Sequence, residues 1–162
     1  MRVLALDLAT RTGWAKGAAA SRPLSGVIRL PSTGDNVGAF LAAWEQHLAG
    51  LLHDVDLAVF EAPLLPRTTS FKTVTKLHSL AGLTELVCLK AGVQVRSAMN
   101  NRVKKAWVGH GRAEKPAMIA RAKALGFQPQ DDNHADALAI WFYAVTNQGG
   151  PLEHAALVRS WP

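Results

Sequence analysis

The chain has 162 residues, 49% hydrophobic and 19% charged, which suits one globular domain and excludes a disordered or fibrous protein. Its single cysteine, Cys88, excludes an intrachain disulfide framework and a cysteine-based zinc site, and the apolar setting LVCLKAG reads as a core thiol. The net charge of +6 is concentrated: Arg96, Arg102, Lys104, Lys105, Arg112, Lys115, Arg121 and Lys123 face one intervening acid, Glu114, a density that attracts phosphate backbones.

Residues 3–8 read as a buried strand, and Thr12 and Gly13 turn the chain into a second strand near 12–17. Residues 26–30 make a third, and three sequential strands with short connections suggest an antiparallel meander. Residues 35–53 place Val37, Phe40, Leu41, Trp44, Leu48, Leu51 and Leu52 at helical spacing, with Asp35 as N-cap. A short strand over 57–60 ends at Glu61, where Pro63 and Pro66 forbid regular structure. Helix is expected over 70–90, with Phe71 packed in the core and Gly92 as the stop. A fifth strand follows over 93–97. A short helix from Met99, a loop at VGHG, and helices over 116–125 and 131–145 complete the chain. This order resembles a ribonuclease H-like α/β domain: a five-stranded mixed sheet, three antiparallel strands and then parallel ones, flanked by helices. The domain is expected over 1–146, with 147–162 as a C-terminal tail.

Three carboxylates end three separate apolar stretches: Asp7, Glu61 and Asp136. A carboxylate at the end of a buried strand costs several kcal/mol unless a partner replaces its lost hydration. Several converging acids point to divalent ions with hard oxygen ligands, two of which can activate water and stabilise a leaving oxygen in phosphodiester hydrolysis. Asp132 lies four residues before Asp136 and can share its helix face. Asp131, Asn133 and His134 remain alternatives for a further ligand, and either Asp131 or Asp132 can cap the helix. His110, between two glycines in the basic loop, is placed for a phosphate contact, and neither histidine is assigned a catalytic role.

The segments LALDLATRTGWA, FEAP, VKKAWVGHGRAEKPAM and HADALAIW, in this order and spacing to about Val145, resemble the RuvC family of Holliday-junction resolvases. The resemblance implies a homodimeric, magnesium-dependent endonuclease with two Mg2+ per active site, Mn2+ as a substitute, and symmetric nicking of a four-way junction or other branched DNA. It implies Asp7, Glu61 and Asp136 as metal-binding acids. The fourth family acid commonly stands three positions before the last, where this chain has Asn133, so Asp132 is favoured in its place. Lys104 and Lys115 resemble basic residues near the scissile phosphate. After the second acid, family members carry a residue that meets bases at the junction centre, for which Leu64, Leu65 and Phe71 are candidates. Arg67, Lys72 and Lys76 beside them, and Arg102, Lys105 and Arg112 in the basic segment, are expected to hold DNA phosphates. The helix from Ser70 is expected to build much of the dimer interface.

Alternatives are a RuvC-like nuclease acting on structured RNA and a non-catalytic junction-binding protein. DLATRTGWA also resembles the first phosphate loop of actin-type ATPases, but these need a second domain, so no nucleotide cofactor is expected. No run approaches the roughly 18 apolar residues of a membrane span, and a cytoplasmic location is expected.

Overall fold

The structure, a computed structural model, describes residues 1–61 and 70–147. Its strands are β1 (Arg2–Asp7), β2 (Arg11–Ala18), β3 (Leu24–Arg29), β4 (Leu57–Glu61) and β5 (Gln94–Ala98). Its helices are α1 (Val37–Leu51), α2 (Phe71–Lys90), α3 (Asn100–Val108), α4 (Lys115–Ala124) and α5 (Asp132–Thr146). The sheet order is β3-β2-β1-β4-β5. β1, β2 and β3 pair antiparallel, while β4 pairs parallel with β1 and β5. This is the expected mixed sheet.

Because β1 is central and both its faces are covered, its run VLAL is apolar throughout rather than alternating. The strand period of two sends Val3 and Ala5 into one core layer with α3, α4 and α5, and Leu4 and Leu6 into another with α1 and α2. In the second layer the Trp44 indole N–H donates to Thr84 Oγ1 at 2.9 Å, and that hydroxyl donates to Leu80 O at 2.7 Å, so the buried polar atoms are matched. Cys88 is fully buried there, and burial pushes its thiol up to about 12.

Two expectations are corrected. Asn36, not Asp35, caps α1, its side-chain oxygen accepting from Ala39 N at 2.9 Å, while Asp35 instead forms an ion pair with Lys72. Phe71 is 87% exposed at the first turn of α2 rather than packed in the core, because that turn projects beyond the second layer. Gly92 adopts φ 71° just beyond α2, donating to Leu89 O, a left-handed stop that suits glycine. The expected tail lies outside the described residues apart from Asn147.

What positions the functional end of the molecule is the seating of α5 on β2. The Trp141 indole N–H donates to Gly17 O at 3.1 Å, and the Asn133 amide donates to Arg11 O at 2.6 Å. Gly13 permits this approach, since a Cβ there would overlap the backbone carbonyl of Asn133. Gly13→Ala must push the start of α5 off the sheet and should destabilise the protein by about 1–3 kcal/mol. Urea unfolding checks this, and an unchanged midpoint would contradict the packing.

Candidate functional site

Asp7 is the last residue of β1 and Glu61 the last of β4. Leu6 pairs with Phe60 in the parallel register, so the next residue on each strand emerges beside the other. Both follow the odd-numbered positions that face α5, as Val3, Ala5, Leu57 and Val59 do. From the first turns of α5 come Asp132 and Asp136, on one helix face.

These carboxylates repel one another. Asp7 is pushed from an ordinary 3.8 up to about 8, first by burial and then by the charges of Asp136, Glu61 and Asp132, with Lys115 opposing. Asp136 rises to about 6, through burial and then Glu61, with Lys104 acting against the rise. Burial also raises Glu61, offset by a hydrogen bond from the Asn100 amide to Oε1 at 2.7 Å and by Lys104. Asp132 moves the other way, because the Lys115 ammonium donates to its Oδ2 and holds it below the usual carboxylate range.

The hydrogen bonds separate the residues that the sequence left as alternatives. Asp131 is fully engaged: Oδ1 caps α5 by accepting from His134 N, and Oδ2 accepts from Arg11 Nε and Nη2 at 3.0 and 2.5 Å. The Asn133 amide is turned to the β2 backbone. His134 is buried, with Nδ1 accepting from Gln130 N at 3.1 Å, and burial lowers its pKa. Of the four, Asp132 is the residue whose charge reaches Asp7 and Asp136.

Among the described residues no three His, Cys, Asp or Glu side chains are already drawn closely enough to enclose an ion. The donor set nevertheless fits hard divalent cations: it is all oxygen, it comes from rigid strand ends and one helix, and its mutual repulsion is relieved by added positive charge.

The cations Lys104 and Lys115 flank this cluster from α3 and α4. Those helices are tied by the Trp107 indole N–H to Met118 O and by Arg121 Nε to Trp107 O, each at 3.1 Å. Arg121 thus has a structural role within the basic segment. Arg102 and Lys105 on α3, and His110 and Arg112 in the loop after it, are exposed. Lys72 pairs with Asp35, and Lys76 lies 4.9 Å from the Phe40 ring centroid. Leu64, Leu65 and Arg67 lie outside the described residues.

A family model described as crossover junction endodeoxyribonuclease RuvC matches residues 15–146. The protein of that name from Ruegeria pomeroyi is 32% identical over 149 residues, covering 86% of this chain and 88% of the relative. That from Alkalilimnicola ehrlichii is also 32% identical over 149 residues, covering 85% and 87%. The chain belongs to the RuvC family. Thermus thermophilus RuvC superposes with a TM-score of 0.75 at 24% identity, over 91% of this chain and 97% of that one. The structure of T. thermophilus RuvC in complex with Holliday junction substrate gives 0.75 and 24%, over 91% and 96%. The sheet described above is therefore the RuvC fold. The family match includes Glu61, Asp132 and Asp136 and begins after Asp7.

Sequence reasoning missed Asn100 and Arg11. An asparagine entering a helix reads as a local cap, yet Asn100 reaches Glu61; Arg11 reads as a turn residue, yet it fixes the cap of α5.

The raised acids predict a pH effect on the metal-free protein. A carboxyl whose folded pKa lies above its unfolded value favours folding in its protonated form, so stability falls as pH rises from about 4 to about 8. In chelator at pH 8, Asp7→Asn should raise stability by a few kcal/mol and flatten this decline. Thermal melts across pH would show it; a less stable variant at pH 8 would contradict the electrostatics.

Proposed function

We propose that this chain is a structure-selective DNA endonuclease that resolves four-way junctions, working as a homodimer that nicks two strands symmetrically. The observation that carries the reading is the convergence of Asp7, Glu61, Asp132 and Asp136 at one end of the sheet, close enough that the other three charges raise Asp7, with Lys104 and Lys115 flanking them. Its setting in the RuvC family supports the substrate, as a family relative is known in complex with Holliday junction substrate.

In this reading Asp7, Glu61, Asp132 and Asp136 hold two Mg2+, for which Mn2+ can substitute. Bound there, the ions supply activation of the attacking water and neutralisation of the leaving oxygen. Asp7, on which the charges of Asp136, Glu61 and Asp132 all act, would be a ligand common to this acid cluster. Asn100 fixes the direction of the Glu61 carboxylate. Lys104, close enough to act on Glu61 and Asp136, offsets charge that develops on the phosphoryl oxygens. Lys115, which donates to the Asp132 carboxylate, is placed to donate to a phosphate oxygen at the same cluster.

Arg102, Lys105 and Arg112 hold the backbone beyond the cut on the α3 side, and Lys72 and Lys76 hold it near α2, with Arg67 as a further phosphate contact. Phe71, which leaves most of its ring in solvent beside that helix start, is suited to stacking on bases at the junction centre; Leu64 and Leu65 share this role. α2 presents Leu86 and Leu89 at its other end and serves as the dimer contact.

Two outcomes follow for a labelled synthetic four-way junction in Mg2+, with duplex, flap and structured RNA as controls. Asp7→Asn should lower cleavage by more than about a hundredfold while junction binding persists, since the carboxylate acts on chemistry rather than on docking. Full activity in that variant would refute the assignment. Asn100→Ala should weaken activation by Mg2+ roughly 10- to 100-fold, partly recovered at high Mg2+, as expected for the support of a ligand. An unchanged Mg2+ dependence would remove Asn100 from the site.

A further inference from the structure

Beside the edge strand β3 lies a cavity of about 340 Å³, lined among others by Thr10, Arg11, Arg29, Ser32, Phe40 and Lys76. Its walls come from the β1–β2 connection, the end of β3, α1 and α2. Two of its cations carry counter-charge. Arg11 is bound to Asp131, and Lys76 feels Asp35, which is itself paired with Lys72 one turn earlier. Arg29 differs: it is exposed at the end of β3 and has no ion pair or side-chain hydrogen bond among the described residues.

Position relative to the acids gives the cavity its meaning. Gly13 pairs with Asp7, and two residues along β2, Arg11 pairs with Arg29. Strand spacing and rise put the Arg29 backbone roughly 12 Å from that of Asp7, a few nucleotides along a single strand. Lys104 and Lys115 approach the acids from α3 and α4, on the α5 side of the sheet, whereas Phe40 and Lys76 bring α1 and α2, which cover the other face, to the cavity.

We propose that this cavity is a second phosphate-binding site, in which Arg29, with Lys76 beside it, receives a backbone phosphate of the strand whose scissile bond lies at Asp7. The inference rests on the endonuclease reading and deepens it. A guanidinium fork matches two phosphate oxygens, and the hydroxyls of Thr10 and Ser32 add donors of the right kind. The one aromatic wall, Phe40, has Lys76 over its ring, so the cavity receives an anion rather than a stacked base. A strand held at Lys104 and Lys115 beside the acids and at Arg29 roughly 12 Å from Asp7 is fixed in direction.

The test is the salt dependence of binding of a synthetic four-way junction in EDTA, where no cleavage occurs. Arg29→Ala should weaken binding about five- to tenfold near 0.15 M salt and reduce the slope of log K against log salt by about 0.9 per site. Arg29→Lys should restore the slope. Lys76→Gln, which alters the same cavity from another element, should lower it likewise, with melting curves confirming that each variant is folded. Equal affinity and slope in wild type and Arg29→Ala would overturn the second site and leave the nuclease reading intact, whereas a wild type that binds no junction would overturn both.

Discussion

The organising constraint is repulsion between carboxylates that the fold forces together. Asp7, Glu61, Asp132 and Asp136 come from two strand ends and one helix, elements whose apolar residues are packed in the core. Burial and like charge together raise Asp7 to about 8 and Asp136 to about 6. A cluster so arranged is costly as a structural element and has chemical sense as a cradle for cations, which convert repulsion into binding.

The rest of the structure maintains that arrangement. β1 is clamped between β2 and β4, so the Asp7 backbone has little freedom. The absence of a side chain at Gly13 lets α5 lie against β2, Asp131 and Arg11 close the helix start, and Trp141 anchors the helix further along. On the other flank, the Trp107 and Arg121 bonds join α3 to α4, the helices that carry Lys104 and Lys115. Positive charge thus approaches from rigid elements.

Much of this was legible in the sequence, and the parts that were not share a cause. The strands and helices followed from apolar runs and periodicity, because β1 is buried on both faces and the helices on one. Asp35 reads as a cap because aspartate and its neighbour asparagine are both good caps, and only geometry shows that Asn36 takes the role. Phe71 reads as a core residue because large apolar side chains usually are, a rule that fails where a helix overhangs its layer. The acids before Asp136 could not be ranked until hydrogen bonds assigned Asp131 to Arg11 and the cap, leaving Asp132 facing Asp7. Asn100, Arg11 and Arg29 draw their significance from partners or neighbours distant in the chain, which local pattern does not encode.

The most direct test of the central claim is the number of protons released when Mn2+ binds, measured by titration calorimetry near pH 7 in buffers of different ionisation enthalpy. Since Asp7 holds its proton until about 8 and metal ligation requires the ionised form, binding should expel protons, and Asp7→Asn should reduce the number. Binding without proton release, or no binding at millimolar Mn2+, would contradict the account.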